Sequence, residues 1–290
     1  MSIPSADTLA LVGPGRAGRA LARAWKKAGG KLAWVLARRP EAASGLGADA
    51  VFGPDQPVLP PCDMLVLAVP DDAVEAVAVG LSGRARCRFA FHLAGALGSE
   101  SLAPLRRSGA SVASLHPVRP FTGADGENWV ETLVAVEGDE PAAAAGSALA
   151  TRLGARPYRL AAPDRALYHA AATLAAGGTA AIVSVAVRGW VHLGIPEDIA
   201  RETLAGLAAR AAGAVADRPF AEAFTGAVAR RDAGTVRGHV AALAPHPESL
   251  ALYRALAEET LRRTAGAGRE DEIRRILESP DASERIPTSS

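Results

Sequence analysis

The sequence predicts an α/β protein in which a mostly parallel sheet occupies the N-terminal half and an all-helical domain follows. Three observations carry this: short apolar runs alternate with helical stretches up to about Leu160, strand signals stop after Pro163, and the first apolar run leads into a glycine-rich turn. Eight strands are predicted, at Leu9–Val12, Leu32–Ala37, Ala50–Phe52, Met64–Val69, Phe89–Leu93, Ser111–Leu115, Leu133–Val136 and Pro157–Leu160. Their apolar runs are short and bounded by Gly, Pro and Asp, as strands covered on both faces require. Helices are predicted at 164–193, 196–216, 220–230, 233–243 and 247–264. Asp164 is placed to cap the first of these. The expected domains are 1–162 and 163–278, with a polar, mobile tail at 279–290.

Composition narrows the class of protein. The 290 residues suffice for a sizeable core, apolar residues make up 49% and charged residues 22%, and 32 basic against 31 acidic residues leave a formal charge of +1. No basic block exists to track a phosphate backbone, so nucleic acid is not an expected partner. Cys62 and Cys87 are too few for a disulfide framework and lack metal-ligand spacing, which predicts a cytoplasmic protein without a metal. The first seven residues do not read as a signal peptide. The most apolar stretch, Ala170 to Val187, is rich in Ala and Gly and flanked by Arg165 and Arg188, so it is expected to be a buried helix and not a membrane span.

The turn Gly13-Pro14-Gly15-Arg16-Ala17-Gly18 stands between the first strand and a helix running to about Ala28. In that setting Gly13 permits the tight turn, Gly15 lets the backbone approach a pyrophosphate, and Gly18 allows close packing of helix on strand. The unpaired N–H groups at the helix start, with Arg16 and Ala17 in its first turn, then face the phosphates. These features make the first domain Rossmann-type. An acidic residue at the end of the second strand would hydrogen-bond the ribose of NAD, but the sequence there is Ala37-Arg38-Arg39. Two guanidinium groups suit the 2′-phosphate of NADP, although a solvated surface pair reads the same way. Val69, Pro70 and Asp71 end the fourth strand on the edge where such sheets hold ligands, and Asp71 and Asp72 equally suit helix capping.

The three lysines, Lys26, Lys27 and Lys31, all lie near the first helix, so a lysine acid from the second domain is excluded. Histidines are the next candidates, since a side chain titrating near neutrality delivers a proton as hydride arrives. His92 and His116 each end a predicted strand, and His169, beside Tyr168, opens the long helix, so all three are expected where the domains meet. A structural role stays open for each. Farther on, Arg230 could hold a substrate carboxylate, and Asp232 is either catalytic or the cap of the helix carrying Thr235 and His239.

Taken in order, Gly13–Gly18, Val69-Pro70-Asp71-Asp72, His92 with Gly95-Ala96, Leu115-His116-Pro117 with Phe121, Tyr168-His169-Ala170-Ala171, and Thr225-Gly226 through Arg230, Asp232 and His239 resemble a family of Rossmann-like oxidoreductases whose C-terminal half is a helical domain of unknown function (DUF2520). That family is distantly related to pyrroline-5-carboxylate reductase and deazaflavin-dependent NADP reductases. The resemblance implies NADP binding, a helical domain that often pairs two subunits into a homodimer, and a cleft receiving a small, sometimes anionic substrate. Reduction of a 2-oxo acid such as ketopantoate is the implied chemistry, with a cyclic imine reductase or a non-catalytic NADP-binding regulator as alternatives. The chain departs from its relatives at Gly177-Gly178, where an Asn-Tyr pair is usual, which predicts an enlarged pocket, and at Arg231, where glycine is usual.

Overall fold

The computed structural model describes residues 8–123, 127–264 and 268–279. The sequence readings at 1–7 and 280–290 lie outside them. Residues divide into two compact units at Thr173/Leu174. In the first, the strands are β1 (Thr8–Val12), β2 (Lys31–Leu36), β3 (Ala50–Phe52), β4 (Cys62–Leu67), β5 (Cys87–His92), β6 (Ser111–Pro117), β7 (Leu133–Gly138) and β8 (Arg156–Arg159). They form one sheet in the order β3-β2-β1-β4-β5-β6-β7-β8. All neighbours are parallel except β6 and β7. All eight predicted strands are therefore present.

Alternation along the strands explains why both faces are covered. Leu9 and Leu11 of β1 enter one apolar cluster, with Leu21 and Trp25 of α1 (Arg16–Lys27) and Leu149 of α4 (Glu140–Arg152). Ala10 and Val12 enter the other, with Val74 and Leu81 of α2 (Val74–Leu81) and Leu105 of α3 (Ala103–Arg107). Successive side chains of a strand point to opposite faces, so a continuous apolar run fills two cores. Chain order reverses between β1 and β4: β2 and β3 extend one way from β1, β5 and β6 the other from β4. In such sheets the carboxyl ends of the strands at the reversal form the ligand crevice.

The first unit ends with α5 (Arg165–Thr173), reached through a 3-10 turn at Ala162–Asp164. Asp164 thus lies inside a turn instead of at the start of a long helix. The predicted helix 164–193 is not uniform. Its middle, Leu174–Gly178, winds as a π-helix before α6 (Thr179–His192) resumes the α form. Two adjacent glycines lower helix propensity here, and the Thr179 hydroxyl donates to Ala175 O at 2.7 Å, four residues back.

The second unit continues with α7 (Glu197–Asp217), α8 (Phe220–Ala223), α9 (Ala233–Leu243), α10 (Pro247–Arg263) and α11 (Glu270–Glu278). The helix predicted over 220–230 stops at Ala223. Gly226 sits at φ +98°, and Arg231 at φ +54°, both in the left-handed region that an α-helix cannot contain. A left-handed backbone is one that glycine adopts without strain, and Arg231 holds it here. Arg231 is only 3% exposed. Its guanidinium donates to Thr264 Oγ1 at 2.7 Å and Glu270 Oε1 at 2.9 Å, so the side chain ties the end of α10 to the start of α11. Helix α11 itself escaped the sequence reading, although Ile273, Ile276 and Leu277 fall at helical spacing and join Val236, Val240 and Leu261 in a third core.

The apolar stretch at 170–187 also differs from expectation. The helical run Ala162–His192 is long and apolar enough to cross a membrane by length and composition, with mean hydropathy 1.8 in its most apolar window, and none of that window is buried within the chain. Ala and Val, which suit a core, here stay half-buried or exposed along the helix.

Candidate active site

The glycine turn is built as its spacing requires. Gly13 takes φ +87°, and a Cβ there would lie 2.7 Å from Ala68 O and 2.9 Å from Val69 Cγ1. A Cβ on Gly18 would lie 2.3 Å from Gly13 O. These two positions are closed by packing. Gly15 differs, because a Cβ there meets nothing within 4 Å. It is the N-cap of α1, no side chain caps the helix, and no acid stands in the first turn. The result is an open helix N-terminus beside the loop that follows β4, where N–H groups and the helix dipole favour an anion. Arg16, Arg38 and Arg39 are exposed, and Ala68 and Val69 border the turn. Ala17 is half-buried against the first core. Asp71 begins a 3-10 turn, Asp71–Ala73, and neither the Asp71 nor the Asp72 carboxylate accepts a capping hydrogen bond from α2.

At the carboxyl ends of β5 and β6 the structure gathers His92, Gly95, His116, Tyr168 and His169. His92 is 0% exposed. Its Nδ1 accepts from the Ala94 N–H at 3.2 Å, and its Nε2 lies 3.1 Å from Gly98 O, so both ring nitrogens are occupied by the loop after β5. Burial pushes its pKa down to about 4, against the Gly98 carbonyl, which favours the charged form. His92 therefore shapes the loop, and the expected role of proton donor does not fit it.

His116 is half-buried, with Nδ1 2.7 Å from the Tyr168 hydroxyl. The His169 ring stands edge-on to it, centroids 6.0 Å apart. A Cβ on Gly95 would lie 2.7 Å from both His116 Nε2 and His169 Nδ1, so only glycine lets the two rings close over this strand end. Burial, then the neighbouring His169 and Arg165, lower the His116 pKa to about 4. Near neutral pH it is a neutral imidazole, which corrects the expectation of a group titrating near 7. Its useful property is then one N–H to donate and one bare nitrogen to accept.

Two residues that sequence reading passed over organise this cluster. Arg165 donates from Nη1 to Gly95 O at 3.1 Å and from Nη2 to Glu137 Oε2 at 3.0 Å. The two side chains are 7% and 10% exposed. Glu137 also accepts from the Ser99 N–H at 2.9 Å and the Ser99 hydroxyl at 2.8 Å. Burial would raise its pKa, but the Ser99 donors and Arg165 outweigh that and hold it below the ordinary carboxylate range. Arg165, Tyr168 and His169 are three and four residues apart on α5, so one helix face carries the anchor and two site groups. The i, i+3, i+4 spacing was the available signal. What hid it was Arg165 reading as a charge flanking an apolar stretch.

Arg230 and Asp232 belong to the helical unit. Asp232 is the N-cap of α9, accepting from the Thr235 N–H at 3.0 Å and the Thr235 hydroxyl at 2.7 Å, so the capping reading holds and a catalytic one has no geometric support. Arg230 is exposed, and its backbone N–H donates to Gly226 O at 3.1 Å. Among those residues no group of three metal-ligating side chains occurs.

Comparison with known proteins fits both halves. A Rossmann-like domain model matches residues 4–117, and a model of the domain of unknown function DUF2520 matches residues 132–260. The chain thus carries a Rossmann-like domain followed by a DUF2520 domain. No curated protein matches it. Among solved structures it is similar to a protein from Thermotoga maritima, with TM-score 0.73, 21% identity and coverage of 88% of this chain and 98% of the other. It is also similar to a protein assigned as an NADP oxidoreductase from Bacteroides fragilis, with TM-score 0.69, 21% identity and coverage of 89% and 98%. The pyrroline carboxylate reductase of Plasmodium falciparum, solved with NADP bound, aligns with TM-score 0.56 and 11% identity over 93% and 98%. The fold is thus one found in NADP-dependent oxidoreductases.

Proposed function

We propose that this chain is an NADP-dependent reductase of a small carbonyl or imine substrate. The observation that carries this reading is the open Gly15 position at an uncapped helix N-terminus, on the same sheet edge as the His116–His169 cluster. Gly13, Gly15, Ala17 and Gly18 would hold the pyrophosphate, Val69 and Pro70 would border the cofactor, and Arg38, Arg39 and Arg16 would take the 2′-phosphate and its neighbours. NADPH, when bound, supplies hydride. The protein orients the substrate, excludes water and donates the proton that completes reduction. His116 and His169 are the groups for that proton.

A ketopantoate-like 2-oxo acid and a cyclic imine of the pyrroline type are the two substrate classes to separate. Oxidation of NADPH driven by one and not the other decides between them, whereas NADPH binding without turnover across both panels points to a regulatory protein. The cofactor choice has its own test. Replacing Arg38 and Arg39 together by alanine is expected to weaken NADPH binding at least about 100-fold while leaving NADH binding unchanged, since each of two charged hydrogen bonds is worth about 1.5–3 kcal/mol. Equal weakening of both nucleotides, read by fluorescence titration, would remove the assignment.

The helical unit is proposed to pair with a second copy of the chain. Ile182, Val191, Ile199 and Leu207 stand 37–55% exposed there. Helix α6 carries Arg188 as its one permanently charged side chain, so a self-complementary apolar surface fits it. A membrane fits less well, because Arg165 and Tyr168 of the same apolar run are held at the sheet edge by polar contacts. Light scattering is expected to find a dimer, and Ile182→Asp a monomer; a monomeric wild type ends this proposal. The cytoplasm is the proposed location: Cys62 and Cys87, paired across β4 and β5, are free thiols.

A further inference from the structure

The 2.7 Å contact between Tyr168 and His116 has a favoured direction. A phenol O–H is a stronger acid than a neutral imidazole N–H, and a bare imidazole nitrogen is a stronger acceptor than a phenol oxygen, so the hydroxyl donates and Nδ1 accepts. The remaining proton of the neutral ring then sits on Nε2, the nitrogen turned toward Gly95. The rings meet edge to face, centroids 5.7 Å apart, which fixes the imidazole plane as well as its tautomer.

We propose that Tyr168 is a positioning and relay residue: it holds His116 as the Nε2–H tautomer and refills Nδ1 as Nε2 gives its proton to the substrate. This rests on the reductase reading and deepens it. The balance is simple. As hydride adds to the electrophilic carbon, the C=O or C=N π pair moves to the heteroatom, which takes the Nε2 proton of His116. The bond between that proton and Nε2 breaks, the Tyr168 O–H proton moves to Nδ1, and the phenolate recovers its proton from solvent. His116 ends neutral throughout, so no imidazolium has to exist among its neighbours.

Several features support this arrangement over a protonated histidine acid. The charged and titratable groups facing His116 are His169 and Arg165 from α5, His92 from β5, and Asp71 from the turn after β4. Of these only Asp71 favours an imidazolium. Burial and the Arg165 guanidinium act the other way, and leave the neutral ring dominant down to about pH 4. The Tyr168 hydroxyl is pushed up to about 12 by burial, so it remains protonated, and able to donate, across the working range. Gly95 completes the device, since any side chain there would drive the His116 and His169 nitrogens off the strand end.

The test reads the ring itself. Two-bond nitrogen–proton NMR spectra of wild-type protein with NADPH added, His116 assigned through His116→Gln, are expected to show the Nε2–H form as the single tautomer. In Tyr168→Phe the same signal should become a mixture of tautomers. A wild-type ring protonated on Nδ1, or a tautomer unchanged in Tyr168→Phe, overturns the relay. Should Tyr168→Phe fail to fold, the wild-type tautomer still decides. On a carbonyl or imine that the wild type reduces, Tyr168→Phe is expected to lower kcat at least tenfold with KM within twofold, and an unchanged kcat also overturns the proposal. A wild-type chain that binds no NADPH instead overturns the reductase reading, which keeps the two failures distinct.

Discussion

Arg165→Met is expected to cost about 3–5 kcal/mol of stability, the usual result of removing one member of a buried ion pair. The loss arises because Glu137 would keep its charge in a place without water, with only the two Ser99 donors left, while Gly95 O loses the guanidinium that holds the loop after β5. Arg165→Met combined with Glu137→Gln is expected to recover a large part of it, since the amide oxygen can still accept from Ser99 and no charge stays stranded. Urea unfolding of the three variants measures this. An Arg165→Met chain as stable as wild type would show that the pair contributes nothing. The acid limb gives a second reading. Because the folded-state pKa of Glu137 is depressed, its stabilisation is complete above the unfolded carboxylate pKa and disappears as pH falls through the lower folded value. Wild type is therefore expected to lose stability on acidification below about pH 4, and Glu137→Gln to show a shallower loss over the same range.

Alanine substitutions in the glycine turn are expected to separate folding from binding. Gly13→Ala forces a side chain into φ +87° and against Ala68 O, so it should both destabilise the chain, by about 1–3 kcal/mol from backbone strain alone, and abolish NADPH binding. Gly15→Ala meets no protein atom within 4 Å and sits at φ −73°. Its unfolding midpoint is expected to stay where it is, while the methyl group obstructs the backbone face offered to the pyrophosphate and weakens NADPH at least tenfold. Thermal unfolding and fluorescence titration on the same samples check both. A Gly15→Ala protein that binds NADPH normally would mean that the open position is not the phosphate site.

These expectations draw on different levels of the molecule. The turn was legible as sequence because each glycine answers a local demand, a positive φ, a backbone approach or a tight helix–strand contact, and local demands appear as residue type at fixed spacing. The strands were legible for the same reason: Leu9 to Val12 serve two cores by alternation alone. The irregular parts were not. Phe220 to Arg230 has helix-compatible composition, but Gly226 and Arg231 take left-handed backbone, and Arg231 does so while contacting Thr264 and Glu270, more than thirty residues away. His92 and His116 look alike, each ending a strand. The difference between a ring with both nitrogens spent on its own loop and a ring with one nitrogen available comes from contacts six and fifty-two residues distant.

The sequence by itself therefore determined the α/β class, the eight strands, the glycine-rich turn and the set of histidines from which a site could be made. Tertiary structure alone separated His92, whose ring nitrogens are both taken up by its own loop, from His116, and found the neighbours of the latter: Tyr168 beside it, Gly95 beneath it, and Arg165 with Glu137 as the anchor of α5. The physical reason is range. Backbone geometry and strand alternation are set within a few residues and leave a periodic trace, whereas the protonation state and orientation of an imidazole are set by burial and by charges that only the folded chain brings near.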